Sequence, residues 1–249
     1  MNSSQRYVLM LFLPLTVVIL ILDNFFPGAR IVTYIKFITI FSLFLSACLL
    51  KKRYLEQVII NTAVFFALIG EFFLNIYDFL APDPACRSAV FGALGFMLAY
   101  GLLIIVFNRG AGRGGITAAV PVLVISLPVL IILYPHISAY YIWGALLFAL
   151  VLCCMTWCSM RTLFGVYYSP WASRCMALSG LLLLISDSGV AMAMFHPLFA
   201  GHFIPLLANI IWAAYVPAWT LLVFVMAGLN CCPPGHQGFH GFRQRPPLW

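Results

Sequence analysis

Charge is the scarcest commodity in this chain: 249 residues carry only 6 Asp and Glu and 13 Lys and Arg, so 8% of the positions are charged. A water-soluble domain uses about 25%, and so few charges cannot cover the surface of a 27.7 kDa globule whose mean hydropathy is +1.07 and whose composition is 64% apolar. The same poverty excludes a disordered chain. Long polar loops are missing too, which leaves no room for a soluble domain between the apolar stretches. A nucleic-acid-binding surface is also excluded, because the net charge of +7 comes from short basic runs between those stretches and not from one continuous face. There is no Gly-x-Ser-x-Gly elbow, no His-Glu-x-x-His and no Gly-x-x-x-x-Gly-Lys loop, so serine acyl transfer, zinc hydrolysis and nucleotide binding have no anchoring motif.

What the chain has is eight apolar stretches, near residues 7–26, 31–50, 55–80, 87–107, 116–134, 139–160, 172–195 and 203–228. About 20 such residues in a helix cross a hydrocarbon layer of about 30 Å. Breakers separate them: Pro27-Gly28, Ala81-Pro82-Asp83-Pro84, the glycines from Gly110 to Gly115, Tyr134-Pro135 and Ser169-Pro170. Apolarity continuous along each stretch, with no period-2 alternation, predicts helices and not a barrel. The expected fold is all-α, an eight-helix integral membrane domain over residues 1–228 followed by a Pro/Gly-rich tail over 229–249. The first stretch lacks a small-x-small cleavage site before Pro27 and reads as an anchor, not a removable leader.

Eight spans put both ends of the chain on one side. Ten basic residues fall on that side (Arg6, Lys51, Lys52, Arg53, Arg109, Arg113, Arg161, Arg174, Arg243 and Arg245), against Arg30, Lys36 and Arg87 on or near the other. The positive-inside rule then makes both termini cytoplasmic, in the cytoplasmic membrane if the host is bacterial. The eight cysteines form no disulfide framework. Cys48, Cys153, Cys154, Cys158 and Cys175 read as reduced residues in or at the ends of helices, Cys86 lies near the outer face, and Cys231-Cys232 is a candidate for acylation. His236 and His240 sit in a glycine-rich tail that disfavours a helical metal site. His136, His196 and His202 belong to outer loops and read as interfacial residues. Tryptophans such as Trp143, Trp171 and Trp212 read as belt and packing residues, and no metal or other cofactor is expected.

Ionisable groups within spans are costly and mark sites or pathways. At 1.5 Å per residue, Lys36, Glu71, Asp187 and Asn209 share one level in the outer half of the bilayer, with Asn75 one turn beyond Glu71, Asp78 near the surface and Asp23 near the end of span 1. A buried register-fixing pair of Lys36 with Glu71 or Asp187 is the plainer reading. The excess of carboxylates over lysine favours a polar cavity holding both acids, open to the outer leaflet. An internal repeat supports their pairing. Leu68-Ile69-Gly70-Glu71 with Phe79 matches Leu184-Ile185-Ser186-Asp187 with Phe195 at an offset of 116, and Ala99-Tyr100 matches Ala214-Tyr215 at 115. Helices 1–4 and 5–8 are therefore candidates for a parallel 4+4 repeat, the arrangement in which transporters place central sites.

The segment from Gly180 to Ser186-Asp187, with Phe195 following, resembles the signature of the YhhN family of eight-helix lysoplasmalogenases. Lys36 resembles the lysine of that family's Lys-Pro, Gly70-Glu71 its Gly-Asp, Gly92 with Phe96 its Gly/Phe run, and Tyr215 with Ala218 its Tyr-x-x-Ala-Gln. Order, spacing and span count agree over nearly the whole chain. The departures are Glu71 for Asp, Phe37 for Pro, Tyr100 where His is frequent and Trp219 for Gln, the last two expected to remove polar groups that orient water or a headgroup. The resemblance implies hydrolysis of the vinyl ether of a lysophospholipid, lysoplasmalogen, to a fatty aldehyde and glycerophospho-ethanolamine or -choline.

Vinyl ether cleavage needs a carboxylic acid to protonate carbon and a carboxylate to stabilise the oxocarbenium ion and activate water, as in glycosidases. A low-dielectric site favours the neutral carboxyl and a nearby ammonium the charged one, so an acid pair beside a lysine supplies both states. Glu71 and Asp187 are the candidate catalytic pair. Lys36, Asn75, Tyr100, Asn209 and Tyr215 are candidate substrate-binding residues. A proton-coupled carrier or flippase built on the same charges, and a catalytically silent membrane scaffold, stay open. The topology is checked by C-terminal fusions: green fluorescent protein is expected to fluoresce and alkaline phosphatase to stay inactive, and the reverse pair of results inverts the orientation.

Overall fold

A computed structural model describes residues 3–77, 87–199 and 204–229; Asp78, Cys86, His202, Cys231, Cys232 and the histidines of the tail lie outside them. Eight helices are long and apolar enough to cross a membrane, and no strand occurs among the described residues. They are α1 (Ser3–Phe25), α2 (Arg30–Leu49), α3 (Leu55–Glu71), α4 (Arg87–Gly110), α5 (Gly115–Leu133), α6 (Ile142–Arg161), α7 (Pro170–Phe195) and α8 (Pro205–Gly228). Their ends follow local chemistry. Gly28 turns the chain between α1 and α2 at φ 71°, a left-handed conformation that glycine adopts without a Cβ penalty. Gln57 folds back to accept from the backbone N–H of Arg53 (2.6 Å) and Tyr54 (3.0 Å) at the start of α3. The Ser169 hydroxyl accepts from Ala172 N–H ahead of α7, whose first residue is Pro170.

One boundary differs from expectation. The third span does not run on as an α-helix: at Glu71 it widens into a π-helical stretch, Phe72–Tyr77. Such wide turns are rare and concentrate at functional sites. Here the change of pitch comes directly after Glu71, and Asn75 lies within the widened stretch.

The helices close into a ring in which α1 neighbours α2, α2 neighbours α3, then α4, α6, α7 and α8 follow, and α8 returns to α1. Helix α5 lies outside, on α6 and α7. Helix α8 is the most enclosed, 72% of its apolar window being buried against 22% for α5, because it also touches α2 and α3. The exposed residues of α5 include Ile116, Val124 and Ile131, as lipid contact requires, while Tyr100, Leu103, Phe107, Trp219, Leu222 and Met226 fill the interior. Adjacent pairs correspond at a spacing of four helices: α1 meets α2 as α5 meets α6, α2 meets α3 as α6 meets α7, and α3 meets α4 as α7 meets α8. The correspondence fails for the outermost helix, since α1 rests on α8 whereas α5 rests on α6 and α7.

Lipid gives no hydrophobic drive between helices, so association depends on close packing and interhelical hydrogen bonds. Glycine supplies the first at the α3–α4 seam, where a Cβ on Gly95 would stand 2.8 Å from the Gly70 nitrogen and 3.0 Å from the Phe66 carbonyl oxygen. Side-chain donors supply the second, including Ser179 to the Ala218 carbonyl (2.9 Å), Trp157 to that of Gly115 (2.8 Å) and Gln57 to that of Met226 (2.8 Å). The basic end of the bundle is fastened by Glu56, whose Oε1 accepts from Arg109 at 2.7 Å and from the Tyr167 hydroxyl at 2.8 Å. The five described cysteines are unbonded, with Cys158 and Cys175 buried and Cys48 exposed.

Because backbone cannot yield to an added side chain, Gly95→Val is expected to destabilise the protein by about 1–3 kcal/mol. Gly101→Ala, whose Cβ meets nothing within 4 Å, is expected to be neutral. Thermal unfolding in detergent checks both.

Candidate functional site

The two acids singled out in the sequence are both buried inside the bundle and lie within electrostatic range of each other, although 116 positions separate them. Glu71 ends the α-helical part of α3 and Asp187 lies on α7; both are buried and within electrostatic reach of each other. Each has its own neutral donor. The Tyr100 hydroxyl, from α4, donates to Asp187 Oδ2 at 2.6 Å, and the Asn75 amide donates to Glu71 Oε1 at 2.6 Å from the π-helical stretch. The hydrogen bond from Tyr100 corrects the expectation that a tyrosine at this position removes a polar group: it contributes the donor that a buried carboxylate requires.

Tyr215, from α8, lies beside Glu71 and within electrostatic range of Asp187. Its ring sits edge-on to Phe96 (6.0 Å between centroids), Trp212 (5.4 Å) and Trp219 (6.4 Å). The Tyr215 hydroxyl and the Trp219 indole N–H approach these neighbours without a well-aligned hydrogen bond, and the Ser186 hydroxyl next to Asp187 is also buried and unpaired. The two acid–tyrosine associations cross the molecule: the acid of α3 faces the tyrosine of α8, and the acid of α7 bonds the tyrosine of α4. These are the residues matched by the internal repeat.

Lys36 hydrogen-bonds to neither acid expected for it, although it lies within electrostatic range of Glu71. Its Nζ donates to Asp23 Oδ1 at 2.8 Å, joining α2 to α1. Asp23 lies two residues before the end of α1 and Lys36 six beyond the start of α2, a difference in depth of about 6 Å at 1.5 Å per residue, which an extended lysine side chain bridges. The ammonium also stands 4.8 Å from the ring centroid of Trp212. Trp212 is therefore not a belt residue: it is 7% exposed, whereas Trp143 and Trp171 are 78% and 67% exposed. Sequence reasoning overlooked Trp212 and underused Asp23. The available signal was a lone acid and a lone lysine on either side of one tight turn.

Asp23, Lys36, Asn75 and Trp212 line a cavity of about 310 Å³, completed by Gly28, Thr33 and small or aliphatic residues of α2, α7 and α8. Neither Glu71 nor Asp187 is part of this lining. Glu71 is joined to this lining through the Asn75 amide, whereas the bonded partner of Asp187 is Tyr100. Asn209 lies one turn before Trp212, with a buried and unpaired Oδ1, and is not among the lining residues. His136 and His196 stack edge-to-face at 5.1 Å, but no group of three metal-ligating side chains occurs among the described residues.

Removing one member of a buried ion pair leaves the other charge uncompensated, at a cost of about 3–5 kcal/mol, while replacing both with apolar residues is often neutral. Lys36→Met is accordingly expected to be strongly destabilising and Lys36→Met/Asp23→Leu to recover most of the loss. A double-mutant cycle of thermal unfolding in detergent measures this; additive single losses contradict it.

The sequence profile of the YhhN family matches residues 31–226, which takes in seven of the eight helices and every candidate site residue read from the sequence, while Asp23 lies before it. No curated protein and no solved structure matches the chain. With a match over most of its length and eight membrane-length helices, the chain belongs to the YhhN family.

Proposed function

We propose that this protein is a membrane-embedded hydrolase that cleaves the vinyl ether of a lysoplasmalogen. The observation that supports the reading is two buried acids within electrostatic range, Glu71 and Asp187, each held by a separate neutral donor, with the donor of Glu71 lining a cavity that bears a lysine–aspartate pair. Deep carboxylates are retained in a bilayer only where they serve a site. The family membership adds the lipid substrate, by resemblance. The orientation proposed places the basic end and both termini in the cytoplasm, with the cavity toward the opposite leaflet.

In the reaction, the protonated member of the acid pair delivers its proton to the β-carbon of the vinyl ether, and the α-carbon and ether oxygen share the positive charge as an oxocarbenium ion. The ionised member faces that cation and removes a proton from the water that adds to the α-carbon, giving a hemiacetal. Return of that proton to the ether oxygen, as the first acid takes the hemiacetal hydroxyl proton, breaks the C–O bond. One water is consumed, a fatty aldehyde and a glycerophospho-alcohol leave, and both acids regain their starting states. Tyr100 and Asn75 hold the carboxylates in place, and Tyr215, whose hydroxyl lies beside Glu71, is suited to orient the water.

The acid–tyrosine crossing between α3 and α8 and between α7 and α4 also fits a second reading, a proton-coupled lipid carrier working between two repeats. Purified protein given lysoplasmalogen in detergent separates the two. The parent is expected to release free aldehyde, and Glu71→Gln and Asp187→Asn each to lower the rate at least about 100-fold, as loss of general acid–base catalysis does. Absence of aldehyde from the parent, with acid-dependent lipid uptake into proteoliposomes, replaces the hydrolase with the carrier.

A further inference from the structure

The charged lining of the cavity consists of one ammonium and one carboxylate, Lys36 and Asp23, so the described lining carries no net formal charge. A net-neutral site suits a ligand that itself carries one charge of each sign. Both lining charges also keep unused capacity. Lys36 has three N–H donors; one goes to Asp23 Oδ1 and the ammonium leans on the Trp212 ring. Asp23 is only 1% exposed, yet its second oxygen, Oδ2, is buried with no donor. A buried carboxylate oxygen without a donor is costly, and an N–H group entering the cavity removes that cost.

We propose that Asp23, Lys36 and Trp212 form a headgroup site for a zwitterionic phosphoethanolamine lipid, with the lipid's primary ammonium on Asp23 Oδ2 and its phosphate on Lys36. The inference rests on the proposed function for its lipid substrate and not for the hydrolysis itself. The volume of about 310 Å³ falls at the small end of ligand pockets, about 300–1,000 Å³, which suits a headgroup and leaves the chain to the apolar side of the lining, Ile204, Leu207, Ala208 and Ile211. The same geometry selects against choline. A trimethylammonium has no N–H to give Asp23, and the aromatic face that would otherwise attract it is already occupied by the Lys36 ammonium. A headgroup with a phosphate and no amine leaves Oδ2 unpaired and adds an uncompensated negative charge.

Binding of acyl lysophosphatidylethanolamine and acyl lysophosphatidylcholine of equal chain length, measured by calorimetry on the full-length protein in detergent, tests the site. These esters contain no vinyl ether, so affinity is read without turnover. The parent is expected to hold the ethanolamine lipid at least about tenfold tighter, a difference of about 1.4 kcal/mol, and D23N to bring the two within about twofold while still accepting from Lys36. Equal affinities or a choline preference in the parent overturn the proposal whether or not D23N folds, as does an undiminished preference in a folded D23N. Selective binding without aldehyde release from the corresponding vinyl ether lipids rejects the hydrolase and keeps the headgroup site. Aldehyde release accompanied by equal binding rejects the headgroup site and keeps the hydrolase.

Discussion

An ammonium and a carboxylate 2.8 Å apart, both withdrawn from solvent, set the form of the cavity end of this bundle. Neither charge is tolerable in such a place alone, so α1 and α2 are tied where the turn at Gly28 already brings them together. The pair then fixes α8 as well, because the same ammonium lies against Trp212. Three helices that share little sequence character are thus registered by one lysine, and the cavity is the space that this registration leaves between them and the π-helical end of the third span.

Behind that cavity the acids are organised on a different principle. Glu71 and Asp187 have no cation bonded to them and depend on neutral donors. The arrangement repeats across the molecule, because helices four apart in sequence pack in corresponding ways. Tyr100 donates to Asp187, while Tyr215 lies beside Glu71, which also accepts from Asn75. Equivalent positions thus have different surroundings, as the proposed division of acid and base between them needs.

Most of the architecture was legible in the sequence because a bilayer imposes one loud rule, long apolar helices with breakers between them, and this chain obeys it with few exceptions. That Glu71 comes within electrostatic range of Lys36 and Asp187 was legible for a related reason: polar groups at one depth in eight short-looped helices have few places to go, although Asn209, read at the same level, has an Oδ1 with no partner. What stayed hidden was set by rotation and reach, which spacing does not encode. The choice of Asp23 over the deeper acids as the partner of Lys36 depends on the direction of a flexible side chain, and the widening after Glu71 depends on how α3 accommodates its neighbours. Trp212 carried no sign distinguishing it from the tryptophans at the rim.

The glycine seam between α3 and α4 bears on which parts of the bundle can move against one another. Two backbones in contact have no rotamers through which to slide or part, so Glu71 and the helix that donates Tyr100 travel as a single stiff slab. On the proposed function, room for a bulky amphiphile has to open elsewhere in the ring, while the groups on either side of this seam keep their register.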